Sequence, residues 1–393
     1  MLEMDNKKKS VLVVINLFSS AQNFIGEQFK YLTEQGYDMH LICSPGKGDI
    51  EFVNKQGIKY YPLQLNRQLT PWQDLLSFIK IVKYIRKYKI DIVIGHQVKG
   101  RLLATIASKI ARAPRTVIFA HGAVFETAQG LKRKLLIAES KLESKLSHKV
   151  VCVSDYIKEL RLALKIDQPS QQYILGAGTC GGIDTFNRFN IDLINHGELN
   201  ILKQRYGIHE TDFIIGFVGR LVKDKGVIEL IESFKNLKLH YPEKSIKLMI
   251  IGPIEKRDTL PSTVLEILQK SEDVIYTGKI PLEKMPIQYC CMDCLVLPSH
   301  RDGFGLCNIE AQAMGIPVIT SSITGCRDSI KNQETGLYID LTPEDISNKI
   351  SMLFDDKLRL KLGTNGRKWV KDNFDHSKIW PFVKQMLEEL YNE

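Results

Sequence analysis

Short apolar runs alternate with longer stretches of helical periodicity through both halves of the chain. The runs have the length of buried strands, and the apolar residues between them recur at helical spacing. Parallel strands need long crossover connections, which are usually helices. The alternation therefore predicts an α/β fold with doubly wound parallel sheets. The predicted strands are residues 11–16, 39–43, 58–63, 91–95, 117–120, 150–154 and 173–175 in the first half, and 213–218, 248–252, 274–277, 295–297 and 317–320 in the second.

The domain organisation follows from the length and from one glycine-rich stretch. A chain of 393 residues exceeds one ordinary core, so two α/β domains are expected. Residues 176–181, GAGTCG, match the G-x-G-x-x-G pattern of dinucleotide sites, but the amphipathic helix that such a site requires does not follow. We interpret this stretch as an interdomain loop, place the domain boundary near residue 190, and reject a nicotinamide dehydrogenase.

Two further segments are assigned from their local pattern. Residues 18–23 are predicted to form a loop at the carboxyl end of the first strand, where open parallel sheets place ligands. Residues 345–393 are predicted to be helical, and their aromatic residues suggest that they pack back onto the body of the protein.

Positive charge is concentrated in the first half of the chain. Residues 1–190 contain 28 Lys and Arg against 16 Asp and Glu, net +12, whereas the remainder contains 26 against 29, net −3. The basic half is therefore expected to meet an anionic partner. No nucleic-acid-binding motif accompanies the charge, so nucleic acid is not expected. An anionic membrane surface or a pyrophosphate-linked lipid fits the charge better.

The sequence also bears on cellular location. No apolar run approaches the ~20 residues of a membrane-spanning helix. Lys7, Lys8 and Lys9 precede a run that reads as a first strand rather than as a signal peptide. A cytoplasmic protein is expected, with peripheral contact to the inner face of the cell membrane as a further possibility. The eight cysteines are expected to be reduced thiols, and the isolated C-x-x-C of Cys291 and Cys294 is not expected to bind zinc.

Residues 294–329 read as strand, loop, helix and strand, and carry the clearest functional signal. Gly303 and Gly305 precede the predicted helix, so the backbone there can approach a ligand closely. The N–H groups at the start of a helix favour a phosphate. Two carboxylates frame the loop and suit hydroxyl groups. A nucleotide diphosphate carrying a sugar would use both features, so the candidate donor contacts are Asp302, Gly303, Phe304, Gly305, Leu306 and Glu310.

A second candidate phosphate site is GRLVKDKG, residues 219–226, which lies between a predicted strand and a predicted helix. It begins at Gly219. Arg220 offers a planar fork for phosphate oxygens, and Lys225 offers a point charge. Lys279 and Ile280 follow another predicted strand, at a place where a nucleotide base could lie against the backbone.

Two histidines follow neighbouring strands of the first predicted sheet. His96 comes directly after the strand 91–95, and His121 directly after the strand 117–120. Both positions face the ligand edge of a doubly wound sheet. A lone histidine usually has a structural role, but two at successive strand ends favour a functional role, above all for His121.

Residues 131–147 form a predicted basic helix. One face carries Leu131, Leu135, Ala138, Leu142 and Leu146, with lysines around the others. Most such helices pack against their own domain. An interfacial membrane helix shows the same pattern, so both alternatives stay open.

The two motifs GRLVKDKG and DGFGLCNIEAQAMGIPVI resemble those of retaining glycosyltransferases of family 4, which have the GT-B fold. The resemblance extends over nearly the whole chain. It implies two Rossmann-like domains that face each other across a cleft. Residues 1–190, completed by a C-terminal helix at about 376–393 that crosses back, would bind the acceptor, and residues 191–375 would bind the donor.

The resemblance also implies roles for particular residues. The family's E-x7-E pattern appears here as Asp302 to Glu310, in which Glu310 would bind the ribose hydroxyls and Asp302 would lie at the donor sugar. Arg220 and Lys225 match the pair that neutralises the departing diphosphate. His121 matches a histidine placed near the transferred sugar. His121, Arg220, Lys225 and Asp302 are thus the candidate catalytic residues.

The first half resembles bacterial capsule, O-antigen and lipid-linked oligosaccharide glycosyltransferases, in HGAVFETAQGLKRKLL, VSDYIKE and ILGAGTCGGID. Their acceptors are often sugars on undecaprenyl diphosphate. The resemblance implies transfer of a hexose or N-acetylhexosamine from a UDP-sugar to such an acceptor. Many relatives have a Gly-Gly pair after the first strand, where this chain has Ser19 and Ser20. The candidate acceptor contacts are Ser19, Ser20, His96 and Lys99.

The expected chemistry needs neither a metal nor another cofactor. No D-x-D cluster occurs on a suitable loop, and no side chain is an obvious covalent nucleophile. Retention is expected to proceed by attack from the leaving-group side, with a donor phosphate oxygen accepting the proton. Two alternatives remain: a nucleotide-sugar epimerase of the same fold, and a non-catalytic nucleotide-sugar-binding subunit.

Overall fold

The computed structural model describes residues 8–65, 70–255 and 259–393. The chain divides into two compact units: unit 1 is Met1–Gly182 with His376–Glu393, and unit 2 is Ile183–Asp375. The division therefore comes earlier than the expected boundary near residue 190. The Thr185 N–H and hydroxyl both donate to the Asp375 carboxylate, at 3.0 and 2.7 Å, so the chain is held by unit 2 soon after Gly182. Lys7, used in the expectation on the N-terminus, lies outside the described residues.

Strands and helices alternate along unit 1, as predicted. In chain order they are β1 (Ser10–Leu17), α1 (Phe18–Phe24), α2 (Gln28–Glu34), β2 (Asp38–Ser44), α3 (Asp49–Gln56), β3 (Lys59–Pro62), α4 (Pro71–Tyr88), β4 (Ile92–His96), α5 (Val98–Ala111), β5 (Arg115–Ala120), α6 (Gly130–Lys145), β6 (Lys149–Cys152), α7 (Asp155–Ala163) and β7 (Gln172–Tyr173). Within the described residues, seven parallel strands form one sheet in the order β3-β2-β1-β4-β5-β6-β7. The order reverses between β1 and β4, which makes their carboxyl ends the switch point of this sheet.

The segment after β1 corrects one expectation. Residues 18–23, expected to be a loop, lie in helix α1. Phe18 and Ala21 are buried one helical turn apart, and the Phe18 ring packs edge-on against Phe52 with 5.5 Å between centroids. Neither glycine nor proline interrupts this segment. The helix can therefore begin directly at the end of the strand.

Unit 2 repeats the same architecture. Its elements are α8 (His196–Arg205), β8 (Phe213–Val218), α9 (Val227–His240), β9 (Ile246–Ile251), α10 (Ser262–Lys270), β10 (Val274–Gly278), α11 (Met285–Tyr289), β11 (Cys294–Leu297), α12 (Leu306–Ala313), β12 (Val318–Ser321), β13 (Gly336–Ile339), α13 (Pro343–Met352) and α14 (Asp356–Asn373). Its described residues form a six-stranded parallel sheet in the order β10-β9-β8-β11-β12-β13. β13 was not among the predicted strands; its four residues pair with β12 at the edge of the sheet.

The end of the chain returns to unit 1. Residues 345–393, expected to be helical, comprise most of α13, then α14 and α15 (His376–Asn392). The Trp380 indole N–H donates to the Gly181 carbonyl at 2.9 Å, and the Arg115 Nε–H donates to the Leu390 carbonyl at 3.0 Å. The buried face of α15 consists of Ile379, Val383, Met386, Leu387 and Leu390.

The glycine-rich stretch 176–181 forms turns and does not start a helix, in agreement with its interpretation as a loop. A Cβ at Gly181 would lie 2.4 Å from the Phe24 carbonyl oxygen. None of the described helices combines the length and the apolar content that a membrane crossing requires.

The strand order of unit 2 reverses between β8 and β11, and the backbone is tightly packed there. Gly226 precedes α9 with a φ of +70°, and a Cβ at this position would lie 1.9 Å from the carbonyl oxygen of Pro298, just after β11. The loop after β8 and the loop after β11 are therefore in direct backbone contact. Only glycine allows both the left-handed conformation and the close approach.

Gly226→Ala is expected to lower the free energy of unfolding by about 3 kcal/mol, because strain at positive φ adds to a steric clash. Gly207→Ala is the matched control in the same unit, since Gly207 has a φ of +62° but nothing lies within 4 Å of its Cβ position. The control should cost about 1 kcal/mol. Urea unfolding followed by circular dichroism measures both, and equal midpoints would contradict the close crossing.

Candidate functional site

The loop between β8 and α9 lies at the switch point of unit 2. Leu221 and Val222 are buried and anchor it to the core. The Gly219 N–H donates to the Ile251 carbonyl at 3.0 Å, and the Leu221 N–H donates to the Pro253 carbonyl at 2.9 Å. The loop is thus fixed along the carboxyl edge of the sheet, where doubly wound folds bind ligands.

Hydrogen bonds join this loop to the loop between β11 and α12. The Ser299 hydroxyl and the His300 N–H both donate to the Asp224 carbonyl, at 3.1 and 2.9 Å. Arg301 forms an ion pair with the Asp224 carboxylate. His300 Nε2 lies 2.7 Å from a carboxylate oxygen of Glu229 on α9. These contacts fix the two predicted phosphate loops relative to each other.

Lys225 and Asp302 form an ion pair between the two loops. The Lys225 ammonium donates to Asp302 Oδ2 and lies 3.4 Å from the Arg301 carbonyl oxygen, while the Gly303 N–H donates to Asp302 Oδ1 at 2.9 Å. Both side chains are largely buried. Burial disfavours the charged form of each, but their mutual attraction outweighs it, so the pKa of Lys225 is raised and that of Asp302 is lowered. Both groups are therefore charged near neutral pH.

The start of α12 adjoins this ion pair. The helix covers Leu306–Ala313, and Gly305 precedes it with a φ of +77°. Its first N–H groups have no partner within the helix and carry the positive end of the helix dipole. The Phe304 ring is buried edge-on against Phe374, with 5.2 Å between centroids. A ligand contact from Phe304 would therefore come from its backbone.

Glu310 lies further along α12, with its side chain held by Tyr289. The Tyr289 hydroxyl donates to Glu310 Oε2 at 2.6 Å, and Tyr289 is fully buried at the end of α11. Burial raises the pKa of Glu310, while the Tyr289 hydrogen bond and the positive charge of Arg188 oppose this rise. Tyr289 was not predicted. A tyrosine in a segment that also contains Met285 and Ile287 is the signal that could have identified it, because buried tyrosines usually find a hydrogen-bond partner.

The remaining donor candidates lie on the loops after β8 and β10. Arg220 is exposed at the beginning of the β8–α9 loop, with Nη1 3.6 Å from Glu255 Oε1. Lys279 is exposed and Ile280 half-buried just after β10, at the edge of the sheet and two strands from β8. The structure thus brings together Lys225, Asp302 and the start of α12, with Arg220 on the same loop as Lys225. The assignment of Lys279 and Ile280 to the nucleotide base stays a prediction.

The two predicted histidines of unit 1 are in direct contact. His96 Nδ1 and His121 Nε2 are 2.8 Å apart. His96 stacks on Phe119 at 4.4 Å, and His121 stacks on Phe24 at 4.9 Å. Burial lowers the pKa of His121 to about 3, helped by the charge of Arg101, and lowers that of His96 well below its usual value. The pair is therefore neutral, and one ring donates a hydrogen bond to the other.

The other acceptor candidates differ in their surroundings. Ser20 is buried, and its hydroxyl accepts from the Gln97 amide at 2.8 Å, across the switch point between β1 and β4. Ser19 is exposed. The Lys99 ammonium donates to Asp74 Oδ1 at 2.6 Å, and both side chains are largely buried. Its charge is therefore already neutralised by α4.

No group of His, Cys, Asp and Glu side chains within the described ranges is arranged to hold a metal ion. All eight cysteines are free thiols, including Cys291 and Cys294. Besides Tyr289, Asp224 was not predicted; it accepts hydrogen bonds from both backbone and side chains of the β11–α12 loop.

Comparison with known proteins matches both halves of the chain to family models of glycosyl transferases. The family model described as glycosyl transferases group 1 matches residues 200–369, and that described as glycosyl transferase 4-like matches residues 12–154. The chain is 31% identical to a capsular polysaccharide biosynthesis glycosyltransferase, CapM, from Staphylococcus aureus, over 99% of this chain and 98% of CapM. It is 25% identical, over 95% of each chain, to the UDP-Gal:α-D-GlcNAc-diphosphoundecaprenol α-1,3-galactosyltransferase of Escherichia coli.

A solved structure supports the fold. The crystal structure of Anabaena Alr3699/HepE in complex with UDP and glucose matches with a TM-score of 0.79 at 15% identity, over 97% of this chain and all of that one. The prediction of a GT-B fold built from two Rossmann-like domains is confirmed. With CapM similar over nearly its whole length, the chain belongs to the glycosyl transferases group 1 family.

Proposed function

We propose that this glycosyltransferase moves a hexose or an N-acetylhexosamine from a UDP-sugar, with retention and without a metal, to a sugar carried on a lipid diphosphate. The observation that carries the proposal is the contact of Lys225 with Asp302 beside the start of α12. A diphosphate is the ligand that suits an ammonium group and helix N–H groups at the same place.

The Asp302 carboxylate lies where the negative charge of a substrate could pair with Lys225. The negative charge of a diphosphate can pair with the Lys225 ammonium in place of Asp302, so the buried cation keeps an anionic partner. The Asp302 carboxylate would then be released toward the hydroxyl groups of the donor sugar. Arg220, exposed and only loosely paired with Glu255 at 3.6 Å, is free to turn toward the same phosphate oxygens.

Glu310 is proposed to bind the ribose of the nucleotide. A carboxylate held by one hydrogen bond from Tyr289 keeps further lone pairs for two neighbouring hydroxyl groups. The buried tyrosine fixes where that carboxylate lies, so the nucleotide would be oriented before the chemical step.

The chemistry concerns the bond between the anomeric carbon and the leaving phosphate oxygen. As this bond lengthens, negative charge grows on the UDP, and fixed positive groups stabilise it more in the transition state than in the ground state. Lys225, Arg220 and the amides of α12 supply these groups, so the proposal assigns no role to a divalent cation. The acceptor hydroxyl would attack from the leaving-group side and give its proton to a phosphate oxygen of the donor.

The lipid-linked acceptor is supported by the named relatives and by charge. The E. coli relative is named for an acceptor that carries a diphosphate-linked lipid. The net charge of +12 in residues 1–190 suits an acceptor of that kind. In unit 1 the neutral His96–His121 pair is proposed to bind a sugar hydroxyl as a hydrogen-bonding group, since protonation is disfavoured by burial.

A donor screen tests the proposal as a whole. UDP-, GDP- and dTDP-sugars are compared for thermal protection and for slow hydrolysis, and UDP-sugars are expected to give the largest effect. Protection by GDP- or dTDP-sugars alone would contradict the donor assignment. Conversion of UDP-GlcNAc to an isomer without any acceptor would instead show an epimerase of the same fold.

Lys225→Ala is expected to lower the rate of sugar transfer by about a hundredfold or more, because one preorganised donor to a developing charge is worth ~3 kcal/mol. Lys223→Ala is the matched control: Lys223 is exposed on the same loop, so its removal should change the rate less than about twofold. The rate is measured with the UDP-sugar that protects best in the screen. Equal rates for the two variants would remove Lys225 from the site.

Tyr289→Phe is expected to weaken UDP binding by about three- to tenfold, because the lost hydrogen bond contributes about 1 kcal/mol to holding the Glu310 carboxylate in place. The loss should grow as the pH falls, because removing this hydrogen bond raises the pKa of Glu310 further and protonates it at a higher pH. Tyr206→Phe is the control, since the Tyr206 hydroxyl donates to the neutral Gln288 amide at 3.0 Å. Calorimetric titration with UDP across pH measures both. Parallel pH profiles for wild type and Tyr289→Phe would refute the ribose assignment.

A further inference from the structure

Helix α6 is oriented with its polar side inward. Its buried residues are Ser140, Glu143 and Ser144, and Glu143 forms an ion pair with the buried Arg101, with 3.0 Å between Oε2 and Nε. The leucines of the opposite face are exposed: Leu131 at 72%, Leu135 and Leu142. An ordinary surface helix does the reverse. The sequence left open whether this apolar face packs against its own domain. These three leucines do not.

Helix α4 shows a second exposed apolar face. Trp72, Leu75, Leu76 and Ile79 recur at helical spacing and are all exposed, Trp72 at 72%. The last two turns of the same helix carry exposed cations, Lys80, Lys83, Arg86 and Lys87. Several large apolar side chains exposed next to one another on a surface mark an interaction site.

The two faces belong to one side of unit 1. α4 packs against α5, and α5 packs against α6, as the three crossover helices on one side of the sheet. Along the chain α4 follows β3 and α6 follows β5, so both helices start on the side of the carboxyl ends of the strands, with the exposed Trp72 and Leu131 in their first turns. That is the edge at which His96 and His121 are found.

Charge on these three helices is separated by sign. Ten Lys and Arg residues of α4, α5 and α6 are exposed: Lys80, Lys83, Arg86, Lys87, Lys109, Lys132, Arg133, Lys134, Lys141 and Lys145. None of the three acidic residues in these helices is exposed. Asp74 pairs with Lys99 at 2.6 Å, Glu143 pairs with Arg101, and Glu139 is half-buried. The outer surface is therefore apolar and cationic, with its carboxylates turned inward.

We infer that the outer side of α4, α5 and α6 is a docking surface for an anionic lipid bilayer. Exposed leucines and a tryptophan enter the boundary between head groups and acyl chains, and the surrounding lysines meet the anionic head groups. A protein partner of acidic character would satisfy the cations, but the exposed leucines of α6 flanked by lysine and arginine suit a bilayer surface, which takes up apolar and cationic side chains together. The inference goes beyond the proposed function, because it concerns a surface outside the site and requires no particular donor.

Vesicle sedimentation tests the inference on the full chain without any nucleotide. Wild type is expected to sediment with vesicles of phosphatidylcholine containing about one third phosphatidylglycerol, and to remain in solution with pure phosphatidylcholine. Binding should weaken in about 0.5 M salt, because screening shortens the range of the attraction. Equal recovery with both vesicle types, or no binding to either, would overturn the inference.

Two pairs of variants identify the surface. Leu131→Gln with Leu135→Gln removes the apolar contact, and Lys132→Glu with Lys134→Glu reverses two charges. The controls lie on α14 of unit 2: Leu360→Gln, since Leu360 is also 72% exposed, and Lys357→Glu with Lys361→Glu, both exposed. The charge reversal on α6 should weaken partitioning into anionic vesicles by at least about twentyfold, because each cation near the surface strengthens binding about fivefold. The α14 variants should bind as wild type does, and an equal loss in both sets would show only a general charge effect.

Trp72 offers a local readout. Its fluorescence should be quenched by brominated lipids in anionic vesicles, and Trp72→Phe should abolish most of that quenching while Trp369 and Trp380 remain. Unchanged quenching in Trp72→Phe would contradict insertion at α4.

Self-association is the competing occupant of this surface. Light scattering after gel filtration measures the oligomeric state. The inference would be overturned in favour of self-association if wild type bound no vesicles and formed a dimer that dissociates in the Leu131→Gln, Leu135→Gln variant. Because UDP binding is titrated separately, failure of the docking surface and failure of the proposed donor can be told apart.

Discussion

The ion pair of Lys225 with Asp302 is the interaction on which the site in unit 2 depends. Each group is largely buried, so neither could keep its charge alone without a cost of several kcal/mol. Together they hold an ammonium at the switch point of the sheet, beside the start of α12. A buried pair of this kind contributes little net stability. In the proposed function, an anionic ligand replaces the carboxylate, which would tie ligand binding to a rearrangement of Asp302.

Close backbone contacts keep that ion pair in place. Gly226 lies against Pro298, Gly252 against Gly219, and Gly325 against Gly303, each at a distance that a side chain would exclude. The loops after β8, β9, β11 and β12 are thereby packed on one another at the carboxyl edge. At the corresponding edge of unit 1, neutral histidines stack on aromatic rings, and the largely buried Lys99–Asp74 ion pair lies at the starts of α5 and α4. Unit 1 thus combines uncharged hydrogen-bonding groups with a neutralised ion pair at this edge.

Much of this was predictable from the sequence, for physical reasons. Buried parallel strands are continuous apolar runs, so nearly all strands and the start of α12 could be located, and strand ends pointed to His96 and His121. Contacts between distant segments could not be found in this way. The pairing of Lys225 with Asp302, and the hydrogen bond from Tyr289 to Glu310, depend on which loops the sheet order brings together. Helix α1 was missed because its buried Phe18 and Ala21 are too few to show helical spacing. That the carboxylates of α6 point inward could not be predicted for a related reason: periodicity shows the two faces of a helix but not which face packs against the domain.

A crystal structure with UDP bound measures the central interaction most directly. The diphosphate oxygens should lie within hydrogen-bonding distance of the Lys225 ammonium and of the first N–H groups of α12, with the ribose hydroxyls on Glu310 and the Asp302 carboxylate displaced from Lys225. A diphosphate bound away from α12, with Lys225 still paired to Asp302 alone, would contradict the assignment of this site.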